Sequence, residues 1–190
     1  MEPIDILALA VSALAKGDAT SAGEAVLNEY PFVPAVRSRS SFTERRKFKI
    51  FARDGFIDRY SGKRLLFPGA LRVLHLLLPQ QVPYHPNWKM DETHIAFWEL
   101  FPTVDHVEPV ARGGSNDDDN LVTTCQLRNS AKANWTLDEL GWELRPGGGG
   151  EWDGLTQQVL SLVEARPELL EDSILRRWVQ AASGVYAGTL

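Results

Sequence analysis

An ordered set of polar residues between positions 105 and 132 constrains the fold of this chain more than any other feature. Asp105 and His106 are neighbours in a strand-like segment, Thr103 to Val110. Neighbouring side chains of a strand point to opposite faces, so the carboxylate and the imidazole would serve different tasks. Gly113 and Gly114 follow and give the chain the freedom to turn back.

The segment after this turn has the pattern of a helix. Asp117 to Asp119 precede Asn120, and acidic residues at a helix start suit the positive end of the helix dipole. We therefore expect a helix from about Asn120 to Ala133. Asn129 and Lys132 lie three positions apart and would share one face of that helix. Asparagine is mildly unfavourable inside a helix, which favours a functional reason for Asn129.

The ordered set resembles the HNH endonuclease family, whose ββα-metal motif pairs a two-stranded hairpin with a helix. The Asp-His pair, the Gly-Gly loop, the Asn120-Leu121 pair and the Arg128-Asn129 to Lys132 run match its His-Asn-Asn version. The resemblance covers roughly residues 53 to 135. It implies an α+β fold with a ββα-metal (HNH) nuclease core and additional N- and C-terminal helices.

The resemblance also implies a role for each matching residue. Asp105 and Asn129 would supply oxygen ligands to one divalent metal, Mg²⁺ or Mn²⁺, on the scissile phosphate. His106 would act as the general base on the attacking water. Asn120 would brace the hairpin loop and help to aim His106, and Lys132 would contact a phosphate. Without the resemblance, the residues alone support only a phosphate site with a hard metal ion.

One departure from the family concerns a structural zinc, which many relatives hold with two Cys-x-x-Cys pairs. Asp58 and Ser61 stand in place of the first pair, and the second pair survives only as Cys125, with Arg128 in its partner's position. This set cannot form a thiolate cage, so we expect no structural zinc. A salt link between Asp58 and Arg128 would bridge the same two segments.

The charge of the chain is strongly segregated. The net charge of −5 argues against a protein that coats nucleic acid by bulk attraction. However, the segment from Arg37 to Arg72 holds eleven Lys and Arg residues against three Asp and Glu residues. This segment predicts a phosphate track, and a solvated helix face is the alternative. The candidate nucleic-acid contacts in it are Arg45, Arg46, Lys49, Arg53, Arg59 and Lys63.

Two helix starts can be predicted upstream of the motif. Ser41 followed by Glu44 is typical of a capping box, which would open a helix to about Asp54 with Phe48 and Phe51 on its inner face. Near the N-terminus, the apolar spacing over residues 4–15 predicts a helix.

The predicted organisation has three regions. Gly17 to Gly23 is small and polar and is expected to be a loop within the first of them. The regions are an N-terminal helical extension at 1–36, the nuclease core at 37–145 with an insertion at 65–102, and a C-terminal helical segment at 151–190.

The N-terminal residues also bear on location. Glu2 and Asp5 precede or interrupt the apolar run where a secretory signal would carry Lys or Arg. The run is shorter than the ~20 residues that span a bilayer. With a single cysteine, Cys125, a reducing compartment is the simplest interpretation, and we expect a cytoplasmic protein without a membrane partner.

The leading hypothesis is a metal-dependent HNH endonuclease that hydrolyses phosphodiester bonds in DNA. One alternative is a non-cleaving nucleic-acid-binding module on the same frame. Another is an RNA nuclease, because the motif contacts phosphates and not sugars. The terminal helices could support a homodimer or could simply cap the core.

Overall fold

A computed structural model divides the chain into two compact units, Met1–Val36 and Arg37–Leu190. Arg37 and Arg39, two of the basic residues of the charged segment, lie outside the described residues. No helix in the described part of the chain is both long enough and apolar enough to cross a membrane. The structure describes residues 1–34, 41–148 and 151–187.

The first unit is a pair of helices, α1 (Pro3–Ala15) and α2 (Ala19–Glu29). The first of them confirms the helix predicted from the apolar spacing. The loop predicted over Gly17 to Gly23 is wrong for most of its length. The side chain of Asp18 accepts a hydrogen bond from the backbone N–H of Ser21 at 3.0 Å, and this cap begins a second helix inside the small, polar stretch.

The second unit mixes helices with a small sheet. Among its described residues, two strands form one antiparallel sheet, and a helix follows directly after the second strand. This confirms the predicted α+β core with additional helices. The elements are α3 (Glu44–Arg53), α4 (Pro68–Leu77), α5 (Ala96–Glu99), β1 (Pro102–His106), β2 (Leu121–Cys125), α6 (Gln126–Lys132), α7 (Leu137–Leu140), α8 (Thr156–Ala165) and α9 (Ser173–Tyr186).

Aromatic side chains form the core of this second unit. Phe48 and Phe51 on α3 are fully buried, as the helical pattern predicted. The Phe48 ring meets Phe67 edge-on at a centroid distance of 5.7 Å, and the Phe51 ring stacks on Trp178 of α9 at 6.1 Å. Burying each such ring contributes about 2–3 kcal/mol. These contacts fix α3 against α9, and α3 also packs against both strands.

The start of α3 differs from the predicted capping box. The N-cap is Thr43, whose hydroxyl accepts a hydrogen bond from the backbone N–H of Arg46 at 3.3 Å. The box predicted on Ser41 is therefore wrong. Phe42, which would have been the first helical residue, lies outside the helix with its ring centroid 5.9 Å from that of His106.

The hairpin is shorter on its first strand than the sequence predicted. Asp105 pairs with Val122 and His106 with Leu121 across the two antiparallel strands. β1 ends at His106 and does not continue to residue 110, because Pro109 lacks the N–H that the ladder needs.

The helix predicted from Asn120 begins six residues later. Leu121–Cys125 is strand β2, and α6 starts at Gln126. The β-branched run Val122-Thr123-Thr124 favours extended structure, and this preference prevails over the acidic residues that suggested a helix start. The side chain of Cys125 then caps α6 by accepting from the backbone N–H of Arg128 at 3.4 Å.

Candidate active site

The helix α6 is tied to strand β1 through two side chains on one face. Lys132 Nζ donates to the carbonyl oxygen of His106 at 2.7 Å. Asn129 Nδ2 donates to Thr103 Oγ1 at 3.3 Å and to the carbonyl oxygen of Val104 at 3.4 Å. The structure therefore brings Asn129 and Lys132 to the strand that carries the predicted Asp-His pair.

Asp105 is buried, and only one of its two carboxylate oxygens has hydrogen-bond or ion-pair partners among the described residues. The residue is 7% exposed. Its Oδ2 accepts a hydrogen bond from the Tyr60 hydroxyl at 2.7 Å and lies 3.2 Å from Lys132 Nζ. Burial and the neighbouring Asp105 carboxylate raise the pKa of Tyr60 above its usual range, so the phenol stays protonated and donates. None of the described residues donates to Asp105 Oδ1.

His106 lies on the other face of β1 and is half-buried. Its Nε2 is 2.8 Å from Asn116 Oδ1. Because an amide oxygen only accepts, Nε2 carries the proton in this arrangement, and Nδ1 is the basic nitrogen. The Phe42 ring contacts the imidazole. The guanidinium carbon of Arg46 lies 4.8 Å from the centre of the Phe42 ring.

Asn120 closes the loop between the two strands. Its Oδ1 accepts from the backbone N–H of Glu108 at 2.8 Å, and its Nδ2 donates to the carbonyl oxygens of Glu108 and Ser115 at 3.0 and 2.8 Å. The two glycines allow this closure. Gly113 has a φ of +96°, and a Cβ on Gly114 would lie 1.8 Å from the Glu108 carbonyl oxygen.

Asp105 and His106 border one open cavity of about 270 Å³. Ala133, just beyond the end of α6, also borders it and has a φ of +47°. The cavity has room for a phosphate group and several water molecules, since one water takes up about 30 Å³. The remaining lining residues are Pro109, Val110, Ala111 and Asn134.

The available oxygens of Asp105, which borders the cavity, and of Asn129, which lies on the adjoining face of α6, fit a hard divalent cation. Asp105 Oδ1 has no donor among the described residues. Asn129 uses only its Nδ2, so its Oδ1 is likewise available. Carboxylate and amide oxygens are ligands that Mg²⁺ and Mn²⁺ prefer. In the described ranges no three His, Cys, Asp or Glu side chains gather into a metal-binding group. A cation here would therefore keep most of its coordination positions for water and phosphate oxygens.

A second buried carboxylate, Asp58, is one of the residues that the sequence resemblance sets in place of zinc-binding cysteines. It is 1% exposed, and its ion pair with Arg128 at 3.3 Å confirms the predicted salt link. Burial raises the pKa of Cys125, so this residue stays a thiol. The described donors to Asp58 are the backbone N–H groups of Tyr60 and Ser61 on Oδ1, and Thr124 Oγ1, the Cys125 N–H and Arg128 Nε on Oδ2.

Of the six candidate phosphate contacts in the basic segment, Arg46 lies nearest to His106. It donates to the carbonyl oxygen of Asn116 at 2.6 Å and pairs with Asp118 at 2.8 Å. The hydrogen bond from Arg46 lowers the pKa of Asp118. The Arg46 side chain remains 40% exposed, so it fixes the loop beside His106 and still faces solvent.

Arg53 and Arg59 support the sheet, and only the Arg59 side chain is mostly buried, since that of Arg53 is 41% exposed. Both pair with the buried carboxylate of Asp54, at 2.9 and 3.0 Å. Asp54 in turn accepts from the backbone N–H of Thr123 at 2.7 Å. These residues therefore satisfy the outer edge of β2 and help to position the strand.

The other basic candidates are distributed unevenly around the site. Arg45 donates to the carbonyl oxygen of Gly184, away from the hairpin. Lys49 and Lys63 are exposed and form no ion pair within the described part of the chain. Lys132 has no exposed side-chain surface. Its ammonium is bound to Asp105 and His106 and is not placed to contact a phosphate.

Two residues of the site were missed from the sequence. Tyr60 reaches Asp105, and Asn116 reaches His106. Tyr60 could have been noticed because it is an aromatic residue between Asp58 and Ser61, the two residues that stand in place of the first cysteine pair. Asn116 has no such signal, because polar residues are ordinary in a loop of this kind.

Comparison with known proteins identifies the central segment. Residues 97–134 match the model of the HNH endonuclease family. The match spans β1, β2 and α6, and it confirms the resemblance seen in the ordered polar residues. It supports nuclease activity in general terms. No curated protein and no solved structure matches the chain.

Proposed function

We propose that this protein is a metal-dependent endonuclease that hydrolyses phosphodiester bonds in DNA. One observation carries the proposal: Asp105 and His106 border the same cavity, within the segment that matches the family model. An uncommitted carboxylate oxygen beside a basic ring nitrogen provides the two functions that metal-assisted phosphodiester hydrolysis needs.

His106 is the general base in this proposal. Its Nε2–H is held by Asn116 Oδ1 at 2.8 Å, which orients the ring. Nδ1 is then left to take the proton of the attacking water. Asn120 supports this step indirectly, because its three hydrogen bonds hold the loop that carries Asn116. Lys132 fixes the backbone of His106 from the opposite side.

Asp105 Oδ1 and Asn129 Oδ1 would hold Mg²⁺ or Mn²⁺. Such a cation, when bound, stabilises the charge that develops on the phosphate and on the leaving 3′ oxygen. The two side chains are held by the β1–α6 interface, and this interface fixes their orientation before substrate arrives.

The exposed cations of α3 are the proposed contacts to flanking phosphates. Arg46 reaches the loop beside His106, and Lys49 stays in solvent on the same helix. Arg45 and Lys63 would extend the contact further from the cleft. Because each neutralised phosphate releases counterions, binding should weaken steeply as salt rises.

A plasmid-nicking assay tests the proposal. The protein with Mg²⁺ or Mn²⁺ should nick supercoiled DNA, and EDTA should stop the reaction. His106→Ala should slow nicking by about 10²–10⁴-fold, the usual contribution of a general base, and leave the circular dichroism spectrum unchanged. His85→Ala is the matched control, since this half-buried imidazole lies outside the site, and it should cleave like the wild type.

Four results would count against the proposal. Equal rates for the wild type and His106→Ala would show that His106 is not the general base. Full activity in EDTA would show that cleavage does not require a metal ion. Faster cleavage of single-stranded RNA than of DNA of the same sequence would make the protein an RNA nuclease, and DNA binding without any cleavage would indicate a non-cleaving module.

A further inference from the structure

Tyr60 lies outside the segment that matches the family model and yet contacts the proposed metal ligand. It belongs to the loop between α3 and α4, and its side chain is 6% exposed. Its hydroxyl donates to Asp105 Oδ2 at 2.7 Å. This short bond joins two residues that are 45 positions apart in the chain.

The two oxygens of Asp105 are treated unequally by their surroundings. Oδ2 receives the Tyr60 hydroxyl and lies 3.2 Å from Lys132 Nζ. Oδ1 receives no donor from the described residues. Because both donors act on one oxygen, rotation of the carboxylate would break two charge-assisted interactions at once. The free oxygen is thereby held in one orientation.

The position of Tyr60 is itself well determined. Its backbone N–H donates to Asp58 Oδ1 at 3.0 Å, and its ring packs against Trp142 at a centroid distance of 5.6 Å. Lys132 Nζ lies 5.9 Å from the centre of the Tyr60 ring. The phenol therefore approaches Asp105 from a rigid support.

We propose that Tyr60 is a positioning residue that orients Asp105 for the metal, with Oδ2 as the hydrogen-bonded oxygen and Oδ1 as the ligand oxygen. The inference rests on the proposed function, because it takes Asp105 as a metal ligand. Removing a hydrogen-bond partner of a metal ligand typically costs 10–100-fold in metal affinity.

Binding of Mn²⁺ to the full chain, followed by electron paramagnetic resonance, tests this role without relying on activity. Tyr60→Phe keeps the ring on Trp142 and removes only the hydroxyl. It should weaken Mn²⁺ binding by about 10–100-fold. In the cleavage assay, raising Mn²⁺ should restore most of its rate, since the defect lies in metal occupancy.

Tyr186→Phe is the matched control. Tyr186 is also partly buried, with its ring 5.7 Å from that of Phe48. This variant loses a hydroxyl in the same unit but outside the site, so it should bind Mn²⁺ like the wild type.

The outcomes separate this inference from the proposed function. If the wild type binds Mn²⁺ and Tyr60→Phe binds it equally well, Tyr60 does not position Asp105, and the proposed function stands. If both tyrosine variants weaken binding equally, the effect is a general loss of stability and the inference is wrong. If the wild type binds no Mn²⁺, the proposed function fails and the inference fails with it.

Discussion

Two buried aspartates of the second unit, Asp58 and Asp105, differ in how completely the chain satisfies them. Asp58 is 1% exposed and receives donors on both oxygens. Asp105 is 7% exposed and receives donors on Oδ2 alone. Burial is similar, so burial does not separate the two roles. The number of hydrogen bonds separates them. A carboxylate with donors on both oxygens joins segments of the chain, and a carboxylate with one oxygen free of donors can bind a ligand.

The two carboxylates are connected through Tyr60. Its backbone N–H is bound to Asp58 and its hydroxyl to Asp105. The hydrogen bonds around Asp58 therefore also support the orientation of Asp105. The Asp58 carboxylate and its hydrogen bonds thus connect the loop after α3 with the start of α6.

The largest expected effect on stability is at Asp58. Asp58→Asn should lower the free energy of unfolding by about 3 kcal/mol, because the amide nitrogen turns a donor toward other donors and leaves Arg128 without its ion-pair partner. Urea unfolding measures the change. Glu143→Gln removes an exposed carboxylate from the same unit and should stay within about 0.5 kcal/mol of the wild type. If Asp58→Asn lowers the free energy of unfolding by less than about 1 kcal/mol, the carboxylate of Asp58 does not hold these segments together.

A smaller effect is expected at Asp172, a further aspartate with several donors. It accepts two hydrogen bonds from Arg72, at 3.0 and 2.6 Å, and one from the backbone N–H of Leu175 at 2.8 Å. The hydrogen bonds from Arg72 lower the pKa of Asp172. At pH 7, Asp172→Asn should therefore cost about 2 kcal/mol of unfolding free energy.

The pH dependence of this second effect has a definite sign. A lowered folded-state pKa means that the contribution is complete above the ordinary Asp value of about 3.9 and is lost as the pH falls through the folded value. The difference between the wild type and Asp172→Asn should thus be constant from pH 7 to pH 5 and shrink below about pH 4. Urea unfolding at these pH values checks it, and a difference unchanged at pH 3 would contradict the role of the charged carboxylate.

Much of the fold could be predicted because its signals are local. The first strand, the turn and the helix follow from contiguous residues. The second strand came only from the resemblance to the HNH family, and the Asp58–Arg128 link from positions aligned to its motif. The errors also have local causes. Asp117 to Asp119 suggested a helix start, but the β-branched residues after Asn120 and the backbone pairing with β1 made that segment a strand.

The site was predicted less completely than the fold, because side-chain partners depend on distant segments. The candidates Asp105, His106 and Asn129 came from the resemblance to the HNH family. The burial of Lys132 was not evident, since a lysine on a helix face is normally solvated. Likewise the hydrogen bond from Arg53 to the carbonyl oxygen of Leu121 depends on how α3 meets β2. Charge along the chain indicated a basic surface and overestimated how much of it faces solvent.

Titration of the full chain with Mn²⁺ tests the central claim most directly. The wild type should bind one ion, and Asp105→Asn should bind it about 100-fold more weakly or worse, because a ligand oxygen loses its charge. The amide oxygen can still accept from Tyr60, but the buried Lys132 loses its ion-pair partner, so the affinity is measured at a temperature at which circular dichroism shows the variant folded. Glu108→Gln, an exposed carboxylate in the adjoining loop, should bind Mn²⁺ like the wild type. Equal affinity for the wild type and Asp105→Asn would contradict the assignment of Asp105 as the metal ligand.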